Sequence, residues 1–140
     1  MYTKILVAIE NSAADGAVLR HIESLARLTG AEVLLVHVAD GFAARHFNDL
    51  DLRESDEIRD DRAYLSRLCE EMCGKGMHCA ARLAMGDPAT ELVRVAAEEQ
   101  VDLIAMSTHG HRFLQDLLRG STADRVRHGV SVPVLMVRAK

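Results

Sequence analysis

Short apolar runs alternate with longer amphipathic stretches along this chain. Five runs stand out: "KILVAI" (4–9), "EVLLVHV" (32–38), "HCAARLAM" (78–85), "DLIAMS" (102–107) and "VPVLMVR" (132–138). Four are nearly continuous in apolar residues, as strands covered on both faces are. The third, 78–85, is more mixed and reads as an edge strand. Between the runs the period changes to that of a helix. Residues 12–30 put Ala14, Ala17, Val18, His21, Ile22, Leu25 and Leu28 on one stripe, and Gly30 supplies a stop. Residues 55–76 turn Ile58, Leu65, Leu68 and Met72 inward, with acids in the first turns and Gly74 at the end. Residues 88–100 form a third helix, with Pro88 in its first turn. Residues 121–129 form a short fourth, followed by Gly129.

The order β-α-β-α-β-α-β-α-β predicts an α/β fold with helices on both faces of a five-stranded parallel sheet, joined by right-handed crossovers. The winding reverses between strands 1 and 4, which corresponds to the strand order 3-2-1-4-5. One domain over residues 1–140 is expected, without repeat or linker. Residues 40–55 make the one long connection and are polar enough to be mobile.

Composition narrows the class. The chain has 140 residues, 49% of them hydrophobic and no Trp, so its core must be aliphatic. No apolar run reaches the roughly 18 residues of a membrane span, and "MYTKILVAIE" has no signal-peptide h-region. We read the protein as soluble and cytoplasmic. The net charge of −4 argues against nucleic-acid binding. Cys69, Cys73 and Cys79 are an odd number, which argues against a disulfide framework. They lack the four-ligand spacing of a zinc site and read as partly buried free thiols, with redox sensing as a minor alternative. His37 and His21 read as hydrogen-bonded structural histidines, and Met72, Met77 and Met85 as packing.

Charge is unevenly spread. Seven acids lie between Asp49 and Asp61, where a solvated face is the simplest reading. Arg112, Arg119, Arg125 and Arg127 gather between Ser107 and His128, beside Gly110 and Gly120. In an open parallel sheet a ligand sits beyond the carboxyl ends of the strands, where the winding reverses. Those ends carry Glu10, Asn11 and Ser12, then Ser107, Thr108, His109 and Gly110. Gly120-Ser121-Thr122 opens the last helix, whose amides and hydroxyls suit phosphate oxygens. Gly-x9-Gly-Ser is weak in isolation: Gly120 also fits a plain turn and Ser121 an ordinary N-cap.

These residues resemble the universal stress proteins along the whole chain. "KILVAIENS" is similar to the family's first strand and its end, "LLVHV" to its second strand, and "MGDP" to its Gly-x-Pro loop. "MSTHG…LLRGSTADRVRHGVSVPVLMVR" is similar to its C-terminal signature. Members that bind ATP carry Gly-x2-Gly-x9-Gly-Ser/Thr; here Ser107 stands for the first glycine, followed by Gly110, Gly120 and Ser121. Glu10 stands where the family usually has aspartate.

The resemblance implies an adenine nucleotide alpha hydrolase-like fold and a site for ATP, or for ADP or AMP. Adenine would lie near Ala8, Ile9 and the backbone of Val38. Glu10 would face the ribose or a phosphate-bound Mg²⁺. Met106, Ser107, Gly110, Gly120, Ser121 and Thr122 would wrap the ribose and phosphates, with His109 beside them and Gly86 at the rim. It also implies a homodimer through the C-terminal edge strand and an unknown protein partner. No Gly-x4-Gly-Lys-Ser/Thr loop exists, and neither His109 nor His111 has an evident carboxylate to orient it as a base. The expectation is a dimeric, nucleotide-dependent stress-response regulator with slow or absent hydrolysis. The alternatives are a dimeric interaction protein without nucleotide, or a slow ATPase.

Overall fold

A computed structural model describes residues 1–39, 51–108 and 122–139. Five strands and four helices alternate in it: β1 (Lys4–Ala8), α1 (Asp15–Thr29), β2 (Glu32–Ala39), α2 (Asp51–Gly74), β3 (Cys79–Met85), α3 (Pro88–Glu99), β4 (Leu103–Thr108), α4 (Thr122–Gly129) and β5 (Val134–Arg138). The strands form one sheet in the order β3-β2-β1-β4-β5, with every pairing parallel. The architecture is the one the alternation predicts, and the mixed third run is an edge strand.

Strand periodicity assigns the two faces. Ile5, Val7 and Ile9 of the β1 segment point to the side covered by α1 and α2, meeting Val18, Ile22 and Leu65. Leu6 points the other way, toward Leu92 and Val95 of α3 and Val126 of α4. Successive side chains on a strand alternate sides, so one aliphatic run serves both layers. Each fully buried Val, Leu or Ile contributes roughly 1.5–3 kcal/mol. Gly129 brings α4 close to α3: a Cβ there would lie 2.9 Å from Val93 Cγ2.

Some expectations change. The α1 stripe runs through Val18, Ile22 and Ala26, while Leu28 and His21 are exposed. A 3.6-residue period leaves the edge of a stripe ambiguous, and docking on the sheet favoured Ala26 because its small side chain lets the helix approach. His21 therefore has no buried structural role. The second helix begins at Asp51 rather than Ser55, so the end of the predicted long connection is helical; residues 40–50 lie outside the described residues. α3 stops at Glu99, and Gln100 takes a left-handed cap conformation (φ 54°). Gly30 caps α1 in the same way (φ 74°), as its position predicts. Met72 and Met77 are buried among aliphatic neighbours. Among the described residues, no helix is long and apolar enough to cross a membrane.

Candidate functional site

The sheet opens between β1 and β4. Their ladder pairs Ile5 with Leu103 and ends at Val7 with Ala105. Beyond it the chains diverge, and this is the point where the winding changes direction. Glu10 and Ser107 face each other across the gap: Ser107 Oγ donates to Glu10 Oε2 at 3.5 Å. Beside them lies a cleft of about 550 Å³ lined by Glu10, Asn11, His37, Val38, Glu57, Asp60, Asp61 and Pro88. That volume falls within the range of small-molecule sites.

The loop from β1 to α1 is built around Asp15, which is only 1% exposed. Its carboxylate accepts from the amides of Glu10 (2.9 Å), Asn11 (2.9 Å) and Ser12 (3.2 Å). Asn11 adopts φ 61° to allow this, a conformation that Asn tolerates better than most residues. Tyr64 of α2 donates its hydroxyl to Asp15 Oδ2 at 2.7 Å. Burial, and then this bond to a carboxylate, push the Tyr64 phenol well above its usual range. The start of α1 also presents its positive end to Asp15.

A second cluster fixes α2 beside the cleft. Asn11 Nδ2 donates to Asp61 Oδ1 at 2.9 Å, and His37 Nε2 lies 3.2 Å from Asp61 Oδ2. His37 Nδ1 lies 2.7 Å from the Ile9 carbonyl, so that nitrogen carries the proton and donates. His37 is thus the hydrogen-bonded structural histidine expected of it.

The third border of the cleft comes from the loop after β3. Gly86 adopts φ 134° and Asp87 caps α3, accepting from Thr90 N at 3.0 Å. Asp87 also takes a two-pronged contact from Arg125 of α4, at 3.0 and 2.7 Å. Arg125, and then Thr90, hold the Asp87 carboxyl well below the usual carboxylate range.

The expected site residues divide. Glu10, Val38 and Ser107 come together at the mouth of the sheet, and Ala8 lies one residue past the last β1–β4 pair. Ile9 is buried, its amide bonds Val36 O at 2.7 Å, and its carbonyl faces His37; it retains no free donor for a ligand. Met106 is 7% exposed and packs into the layer under α3 and α4, so it can offer a ligand only main chain. Pro88 rather than Gly86 lines the cleft among the described residues. Thr122 is the first residue of α4. His109, Gly110, Gly120 and Ser121 lie outside the described residues. Among those described, no group of three His, Cys, Asp or Glu side chains is arranged to hold a metal ion.

Asp15, Tyr64 and Asp61 were not singled out from the sequence. One signal was present: a charged residue at the start of a helix, directly after a polar turn, is placed to receive that turn's amides.

A family model described as "Universal stress protein family" matches residues 1–138. The chain belongs to the universal stress protein family. Universal stress protein MJ0577 of Methanocaldococcus jannaschii is 28% identical to it, over 100% of this chain and 97% of that protein. The solved structure of MJ0577 superposes with a TM-score of 0.82, covering 100% of this chain and 98% of that one. A universal stress protein from Archaeoglobus fulgidus in complex with dAMP has a TM-score of 0.72 at 24% identity, covering 97% and 98% of the two chains. A universal stress protein in complex with cAMP has a TM-score of 0.74 at 18% identity, covering 99% and 98%.

Proposed function

We propose that this stress protein binds an adenine nucleotide at the divergence of β1 and β4 and acts as a nucleotide-dependent regulatory module. The observation that carries the reading is the Glu10–Ser107 contact across the switch point, at the edge of a cleft of suitable volume. Complexes of the same fold with dAMP and cAMP support it as precedents for the ligand class. Four carboxylates line the cleft, from Glu10, Glu57, Asp60 and Asp61. Phosphates are repelled there, so the cleft suits the base and ribose, and the phosphates run past Ser107 toward the start of α4. A Mg²⁺ carried on the phosphates would screen them from Glu10.

Equilibrium dialysis with labelled ATP, against GTP, tests this reading. Retention of ATP below ~1 mM, a weak affinity of about −4 kcal/mol, supports it; no retention at that concentration removes it. Ser107→Leu should weaken binding by roughly tenfold or more while leaving far-UV circular dichroism unchanged, since the residue is not part of either buried core layer.

A second reading is a dimeric interaction protein that takes no nucleotide. Val134, Leu135, Met136 and Val137 of the edge strand β5 are only partly covered, and an apolar edge favours pairing with a second copy. Partner capture that is insensitive to ATP favours it.

A further inference from the structure

Three thiols meet where the last turns of α2 pass the start of the edge strand β3. Cys69 Sγ donates to the Cys79 carbonyl at 3.1 Å, and Cys73, one turn later, reaches the same oxygen at 3.7 Å. The Cys69 and Cys79 side chains pack against the same buried layer as Leu65 and Met77. All three cysteines are free; Cys69 and Cys79 are half-buried and Cys73 is exposed. Cys73 and Cys79 open onto a separate cleft of about 490 Å³ at the amino end of the strands, walled by Val33 and Met77.

Geometry separates the pairs. Cys69 and Cys73 lie four residues apart on one helix, where Cβ atoms stand about 5–6 Å apart, more than the ~3.8 Å a disulfide prefers. Cys69 and Cys79 belong to different elements, pack on the same buried layer, and stand close enough for Cys69 Sγ to reach the Cys79 carbonyl at 3.1 Å. We propose that Cys69 and Cys79 form a reversible thiol–disulfide site, oxidised by a low-molecular-weight disulfide such as glutathione disulfide admitted through this second cleft.

The chemistry balances in two exchanges. The Cys79 thiolate attacks one sulfur of glutathione disulfide; a Cys79–glutathione bond forms, the original S–S bond breaks, and one glutathione thiolate leaves. The Cys69 thiolate then attacks Cys79 Sγ and expels the second glutathione. Two protein thiols lose two electrons and two protons, and one glutathione disulfide becomes two thiols. Burial is the main influence raising both protein thiols, so thiolate is scarce near neutral pH and the exchange quickens as pH rises. The exposed Cys73 takes the same adduct, but its sulfur stands farther from the Cys79 carbonyl than that of Cys69, 3.7 against 3.1 Å. The resulting bond would tie the edge strand to the helix whose earlier turns carry Glu57 and Asp61 into the nucleotide cleft.

The test uses Cys73→Ser, which leaves only the proposed pair. After incubation with glutathione disulfide at pH 8.5, intact mass should fall by two hydrogens. No free thiol should remain, digestion should yield one joined peptide pair, and dithiothreitol should reverse the change. The oxidised form should melt roughly 5 °C higher than the reduced form. Cys69→Ser should stop at a glutathione adduct on Cys79. Two persistent thiols in Cys73→Ser, a lasting adduct beside a free Cys69, or bridges only between molecules would each overturn the proposal. If Cys73→Ser does not fold, peptide mapping of the oxidised unaltered chain decides instead: a Cys69–Cys79 bridge supports the proposal, and its absence ends it.

Discussion

Two loops leave the carboxyl ends of β1 and β3 and border the same cleft, yet they are secured in different ways. The first closes on Asp15, a buried carboxylate that takes three backbone amides and the Tyr64 hydroxyl. The second closes on Asp87, whose side chain is 46% exposed and faces Arg125, itself 50% exposed. A buried acceptor leaves its donors no substitute if it is lost, whereas water replaces the partners of an exposed one. The loop bearing Glu10 is therefore rigidly specified, and the Asp87 loop is steered by its ion pair but held mainly by the packing of α3 on α4.

The largest break should come from Asp15→Ala. It strands three amides and a phenol in a closed space and should cost about 3 kcal/mol or more in urea unfolding. If the variant folds, it should also lose nucleotide retention, because Glu10 and Asn11 no longer hold their places. Next comes Gly129→Val. The contact of a Cβ with Val93 at 2.9 Å predicts overpacking of about 2 kcal/mol, seen as a lower urea midpoint. This variant tests whether packing holds the second loop.

Tyr64→Phe removes one of the four donors and should cost about 1 kcal/mol without moving α2. The smallest change should follow Arg125→Ala, and high salt should shrink it further. Its pH dependence has a definite sign. Arg125 lowers the Asp87 carboxyl from its ordinary 3.8, so the stabilisation is present above that value and disappears as acid protonates Asp87. Parent and variant should differ from neutral pH down to about the ordinary carboxylate value and converge only in stronger acid. An Arg125→Ala cost equal to that of Asp15→Ala would erase the contrast between the loops.

Much of the fold was legible in the order of residues. The aliphatic runs located β1, β2, β4 and β5, and the mixed composition of 78–85 marked an edge. Gly30 and Pro88 marked helix ends for local steric reasons. The cleft was only partly legible. Its position followed from winding direction, and Glu10, Val38 and Ser107 were named for it. Ile9 and Met106 also stood at strand ends, but whether a strand residue faces a cleft or a buried layer depends on which helices cover it.

The sequence alone determined the alternation of strands and helices, the aliphatic core and the neighbourhood of a site, because these rest on periods of two and 3.6 residues and on local backbone sterics. Only the tertiary structure decided that Asp15 binds the amides before it, that Asp61 joins Asn11 fifty positions away, and that Cys69 meets Cys79. Such pairs carry no local signature. Their partners meet only after helices have docked on the sheet, and docking is set by the summed burial of many side chains rather than by any short stretch of chain.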